Sequence, residues 1–189
     1  KSQKTTFEAG ADLEESNFFS MHEDQDTLQF RSLLASYDLK LQTLFCGKVE
    51  YVRVGDAKIY PDSMKVTIRK NAVMDPLNNA KIVAPFVTKF HTFTNANINI
   101  SSRKKYEGNA KYPYYDRDSA LTVLDMKTIK YFNSVTQAEG VIAQKDNFKL
   151  SKEFDYFGNI KIVAASPGIY CDGSTKLNHS CRSFDRSWL

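Results

Sequence analysis

Beyond Lys48, apolar and polar residues alternate with a period of two. Val49, Tyr51, Val52 and Val54 precede Gly55-Asp56, Lys58 to Tyr60 runs into Pro61-Asp62-Ser63, and Val66 to Lys70 alternates in the same way. Each piece is short and is bounded by Pro, Asp, Asn, Gly or Ser, residues that supply turns rather than helix. This part of the chain reads as strands. Between Leu28 and Phe45 two periods compete. Phe30, Leu33, Leu34, Tyr37, Leu41, Leu44 and Phe45 share one helical stripe, whereas Thr27 to Arg31 and Asp38 to Thr43 alternate as strands. On periodicity alone the stripe prevails and predicts a helix there. Residues 1–20 show neither period clearly.

A local echo runs through the strand region. Ala57-Lys58-Ile59-Tyr60 returns as Ala80-Lys81-Ile82-Val83, more loosely as Ala96 to Ile100, and again as Asn159 to Ala164. Such recurrence is what a β-solenoid produces, because a single rung cannot bury its own apolar face and needs a neighbour stacked on it. A sandwich of short strands leaves a similar trace. The echo favours mainly β architecture of stacked short strands, β-solenoid-like, with the β-sandwich as alternative.

Composition narrows the class without naming a function. The 189 residues are 42% apolar, 13% aromatic and 25% charged, ordinary globular values that argue against disorder of the whole chain. At this size about 70% of the unfolded surface is buried on folding, enough for one core without covalent staples. No run approaches the roughly 18 apolar residues of a membrane-spanning helix. The net charge of +4 is mild but uneven. Seven acids and no Lys or Arg lie between Glu8 and Asp26, whereas Arg103, Lys104, Lys105 and Lys111 cluster later. The acidic stretch either pairs with a basic surface or is simply solvated. The domain reading is an irregular acidic arm over residues 1–25 and a single β-rich domain over 26–189, expected to be a fragment of a longer chain.

The richest surface candidate is Ser101 to Asp118, which interleaves Arg103, Lys104, Lys105 and Lys111 with Tyr106, Tyr112, Tyr114 and Tyr115. Cations beside rings suit phosphates and stacked bases, and rings with polar neighbours equally suit sugars. Against this stands a plain hairpin with half-buried tyrosines and solvated cations. Four basic residues are a thin footprint for nucleic acid, so a glycan or protein partner is the better functional reading. Asp116 with Asp118, and Glu153 with Asp155, are spaced i, i+2. On a strand that spacing puts two carboxylates on one face about 7 Å apart, between the retaining and inverting glycosidase separations. Such pairs are common by chance, and no catalytic set is predicted from them. A calcium site at Asp116 and Asp118 lacks the EF-hand pattern.

Cys46, Cys171 and Cys181 form no CxxC pair. Cys171 and Cys181 would close a short disulfide loop in an oxidising compartment, leaving Cys46 as a small hydrophobe within Leu44-Phe45-Cys46-Gly47. His179 with these two cysteines matches no zinc-finger spacing. His22, His91 and His179 are far apart, Ser180 and Ser183 lack a nucleophile-elbow setting, and Gly168 and Gly173 are isolated rather than part of a phosphate loop. Asn99-Ile-Ser101 and Asn178-His-Ser180 fit the N-glycosylation pattern, which would carry no meaning if the source were bacterial. No cofactor is predicted.

Several stretches together resemble a segment of very large, uncharacterised envelope proteins of Gram-negative bacteria. They are Val54 to Asp62, Val66 to Met74, Asn79 to Ala84, His91 to Tyr106, Tyr112 to Asp116, Glu139 to Gly158 and Leu177 to Cys181. The resemblance covers residues 25–189. It implies a stacked-strand architecture, export to the periplasm or outer envelope, and a much longer parent, and it favours strands over helix for residues 28–45. No activity comes with it. The expected function is therefore a non-catalytic structural or interaction module of an exported envelope protein, whose partners are neighbouring segments of the parent or other envelope proteins, with self-association through edge strands. The alternative is a glycan-binding or polysaccharide-processing β-helix using Tyr112 to Asp118.

Overall fold

Antiparallel ladders account for every strand pairing among the described residues, which in this computed structural model are 5–7, 17–180 and 187–189. In chain order the strands are β1 (Thr5–Phe7), β2 (Asn17–Phe19), β3 (Gln29–Arg31), β4 (Leu34–Asp38), β5 (Thr43–Gly47), β6 (Val52–Val54), β7 (Ala57–Tyr60) and β8 (Lys65–Ile68). They continue as β9 (Leu77–Ala84), β10 (His91–Ser102), β11 (Lys105–Tyr115), β12 (Leu121–Phe132), β13 (Val135–Ile142), β14 (Lys149–Ser151), β15 (Phe154–Val163) and β16 (Ile169–Leu177). A four-stranded sheet has the order β1-β4-β5-β8. A twelve-stranded sheet has the order β14-β15-β13-β12-β11-β10-β9-β7-β6-β3-β2, with β16 on the other side of β15. No helix among the described residues is long and apolar enough to cross a membrane.

The helix expected over residues 28–45 does not form. Those residues carry β3, β4 and β5, and the helical stripe is not the buried set: Leu34 and Leu41 are 53% and 63% exposed, whereas Cys46 is 2% exposed. The Asp38 carboxylate accepts the amides of Lys40 (2.9 Å) and Leu41 (3.0 Å), which starts the chain reversal between β4 and β5. Pairing of β5 with both β4 and β8 then buries Cys46 and Val66 side by side. Tertiary pairing outweighs a period carried by only a few leucines. Two pieces of the stretch expected to be an irregular arm also lie in ladders, residues 5–7 on β4 and 17–19 on β3.

The echoed tetrads have a different origin from stacked parallel rungs. Ile59 lies opposite Ile82 on antiparallel β7 and β9, and Ala80 lies opposite Ala96 on β9 and β10. These residues are fully buried, as is Ile162 on β15. The echo therefore records the core-facing half of an antiparallel alternation, repeated because each strand buries one face.

The large sheet is rolled. Asp56, in the β6–β7 turn, bonds Thr136 on β13, five strand positions away; at about 4.8 Å per strand a flat sheet would hold them about 24 Å apart. Nε2 of His91 on β10 likewise reaches the Ser166 carbonyl after β15 at 2.7 Å. The roll has a local cause. Register shifts occur between Phe93 and Ile98, between Thr94 and Asn97, between Gly108 and Ala110, and between Met126 and Thr128. Asn79, Asn95, Asn109 and Lys127, which lie at or beside these shifts, line one shallow concavity, so the shifts are aligned across β9 to β12. Asn79 and Asn95 take left-handed backbone conformations there. Aligned bulges bend a sheet along one crease and turn its inner face onto itself. Gly108 sits on that crease because a Cβ would lie 2.0 Å from the Asn97 carbonyl oxygen. The resulting core includes Val54, Ile82, Phe93, Ile98, Met126 and Ile162.

Candidate functional site

The length of β11 separates the two halves of the Ser101 to Asp118 candidate. Lys105 begins β11 and Tyr115 ends it, so the basic and tyrosine-rich ends stand roughly 33 Å apart along an extended strand.

At the basic end the cations serve the fold. The β10–β11 turn is held by Gly55 N–H donating to the Arg103 carbonyl (2.8 Å) and Arg103 N–H donating to the Gln25 carbonyl (3.0 Å). The Lys104 ammonium lies 3.4 Å from the Asp26 carboxylate, and the Arg103 guanidinium reaches the Thr27 hydroxyl at 3.5 Å. One acid of the N-terminal stretch thus pairs with a basic hairpin, while Glu23 and Asp24 are exposed. Lys105 is exposed, and the neighbouring Tyr106 ring is buried in the core.

At the other end β11 places Tyr112 and Tyr114 on its inner face, alternating with Pro113 and the exposed Tyr115. The Tyr112 hydroxyl meets His91 Nδ1 at 3.0 Å. Because His91 Nε2 faces the Ser166 carbonyl, that nitrogen carries the proton and Nδ1 accepts from Tyr112. The Tyr114 hydroxyl donates to the Leu150 carbonyl at 2.8 Å, and its ring packs on Phe148 with centroids 5.4 Å apart. Burial pushes both tyrosine pKa values up, so both rings remain neutral donors. Tyr112, Tyr114 and Tyr115 line a concavity of about 430 Å³ with Phe148, Leu150, Ile169 and Cys171 among its other walls. Its lining is part apolar and part polar, and the Tyr112 and Tyr114 hydroxyls are already bonded within the protein.

The carboxylates do not face this concavity. Asp116 and Asp118 lie in the β11–β12 turn rather than on a strand, and Asp116 Oδ1 accepts the amides of Asp118 (2.9 Å) and Ala120 (2.8 Å). Its role is to close the turn. Glu153 is also in a turn, where the Ser151 hydroxyl donates to it at 2.8 Å and holds its carboxyl below the usual range. Asp155 alone is on a strand, accepting from the Asn178 side-chain amide at 2.7 Å. Neither pair has the strand-borne geometry that the spacing implied. Among the described residues no three His, Cys, Asp or Glu side chains gather as a metal site.

Cys46 is buried, and its burial pushes the thiol up to about 11. This is the small-hydrophobe setting expected of it. Cys171 lies on β16 beside the concavity; Cys181, its suggested disulfide partner, falls outside the described residues.

Sequence reasoning missed His91 as a buried hub and missed Ile169 to Gly173 as an exposed sheet edge. The alternation Ile169-Tyr170-Cys171-Asp172 is a strand signal, but only the sheet order shows that, among the described residues, β15 is its one neighbouring strand. No protein-family profile, curated protein or solved structure matches the chain.

Proposed function

We propose that this chain is a structural or interaction module without catalytic activity, one unit of a stacked-strand assembly in an exported envelope protein. The observation that carries the reading is an unclosed sheet: β16 pairs with β15 along its whole length, and among the described residues its other side meets residue 189, through Thr175. Strand edges of this kind pair with further strands unless something blocks them. In such an assembly the rolled sheet continues through its edges into neighbouring segments of a parent chain or into other envelope proteins, as a solenoid-like array does. A self-contained sandwich would instead keep its edges covered. The resemblance to large Gram-negative envelope proteins supports export to the periplasm or outer envelope.

A second reading, glycan binding, is favoured by one observation, the concavity lined by Tyr112, Tyr114 and Tyr115. It lacks the facing carboxylates that a polysaccharide-processing site needs, so it is a binding reading only.

Sedimentation of the purified chain over a wide concentration range tests the first reading, and a glycan array tests the second. Concentration-dependent association without sugar binding supports the module. A strict monomer at high concentration that binds a defined glycan replaces it with the second reading.

A further inference from the structure

We infer that the outer face of β6, β7 and β9, together with the β9–β10 loop, docks on a lipid surface that bears anionic headgroups. The inference stands apart from the module reading, since it concerns a sheet face rather than a strand edge.

Sequence and register put one sign of charge on this face. β3, β6, β7 and β9 contain no Asp or Glu. Val52, Ile59 and Ile82 lie opposite one another and are fully buried, so the residues alternating with them face outward. The outer row nearest the β9–β10 loop runs Arg53, Lys58, Val83, Thr92 across four strands, each opposite the next. The row behind it, about 7 Å along the strands, carries Tyr51, Tyr60 and Lys81, with Arg31 next to Tyr51. Among the described residues none of Arg31, Arg53, Lys58 and Lys81 forms an ion pair. Arg31, Lys48 and Arg53 also line a shared concavity in which Glu50 is the one acid among the described lining residues.

Aromatic rings hold these cations against the sheet. The Arg53 guanidinium lies 4.0 Å from the Phe86 ring centroid, the Lys58 ammonium 4.0 Å from that of Tyr51, and the Lys81 ammonium 5.8 Å from that of Tyr60. The positive charge is thereby fixed at the surface before any partner arrives. The same pairings cover the ring faces that a stacked base would need, which weighs against single-stranded nucleic acid.

The second observation is apolar and independent of the charge. Phe86 draws the β9–β10 loop to this face: its N–H donates to the Asp56 carbonyl (2.8 Å) and its ring lies under Arg53. His91 is fully buried, so alternation turns Phe90 outward with Thr92. Val87 is 73% exposed and Phe90 43%, and Lys89 between them is exposed as well. An apolar tip with cations and tyrosines directly behind it matches the layers of an anionic bilayer surface, acyl boundary first and headgroup phosphates next. A hydrated acidic polysaccharide would give Val87 and Phe90 nothing to bury against. A second copy of the chain, meeting this face with the same face, would set cations against cations.

The test is co-sedimentation of the full chain with vesicles of equal parts phosphatidylglycerol and phosphatidylcholine, against vesicles of phosphatidylcholine alone. The expected partition coefficient is about tenfold or more higher on the anionic vesicles and falls as salt rises. Arg53→Glu and Lys81→Glu, each checked for a parent-like urea midpoint, should lower it about tenfold. Val87→Ser should lower it about threefold or more and leave the salt dependence unchanged. If one charge variant fails to fold, the other reads the same loss at a separate position. Equal partition onto the two kinds of vesicle overturns the inference, as does parent-like binding by the folded variants. Dextran sulfate or an oligonucleotide that binds as tightly as the vesicles, with Val87→Ser indifferent, assigns the face to a soluble polyanion and also overturns it.

Discussion

The Asp56 carboxylate accepts the backbone amide of Thr136 through both oxygens, at 3.1 and 3.0 Å, and also accepts the Thr136 hydroxyl, across 80 residues of sequence. The same hydroxyl lies 2.8 Å from that of buried Tyr106. Thr136 also supplies its carbonyl to Ala164 N–H at 2.9 Å. One threonine thereby joins the β6–β7 turn, β11, β13 and the end of β15, and holds the roll shut at one end.

Replacement of Asp56 by Ala leaves a buried amide and hydroxyl without their acceptor. The expected loss is about 2–3 kcal/mol of unfolding free energy, read as a lower urea midpoint with a cooperative transition retained. Asp56→Asn keeps one acceptor oxygen and loses less. Equal stability of Asp56→Ala and the parent chain would show that the roll is held elsewhere.

Stability is expected to fall in alkali. Burial raises the Cys46 thiol from 9.0 to about 11 and raises the Tyr106 hydroxyl further, so both stay protonated when folded and ionise more readily when unfolded. The unfolded state gains from losing protons, and the stability present below pH 9 is lost as pH rises towards 11. For Cys46 alone a shift of this size corresponds to about 3 kcal/mol. Denaturant midpoints measured from pH 8 to 11 on the parent chain and on Cys46→Ala check this: the variant's curve should be flatter.

Gly108 is expected to tolerate no larger residue. Its missing Cβ is the space occupied by the Asn97 carbonyl, so Gly108→Ala forces the crease between β10 and β11 apart, at a cost of about 2 kcal/mol or more. Thermal denaturation measures it. An unchanged midpoint would mean that the crease does not depend on close backbone approach.

Arg103 and Lys104 are expected to matter little for nucleic acid. Lys104 and Asp26 are both largely exposed, and such pairs are worth at most about 1 kcal/mol. Lys104→Ala should shift the urea midpoint only slightly. Oligonucleotide titration at low salt should show no affinity that the Arg103→Ala and Lys104→Ala changes remove.

Strand character was legible wherever alternation and turn residues coincided. Gly55-Asp56 and Asn133-Ser134 sit in two-residue hairpin turns, and Gly55, Asn133 and Ser134 take the positive φ angles these turns require. Ile59, Ile82 and Ile98 announced their burial through their period. The helix stripe at Leu34 to Phe45 misled because period describes one element alone, whereas the ladders of β5 with β4 and β8 decide which face is covered.

The amino-acid order by itself determined an antiparallel-capable set of strands with one apolar face each, because alternation and turn chemistry are local properties. Only the tertiary structure decided where those faces go. The aligned bulges at Asn79, Asn95 and Gly108 roll the sheet and bring Tyr114 against Leu150 and Phe148 and His91 against Ser166. Those outcomes depend on strands far apart in the chain meeting through space, and no local period encodes that meeting.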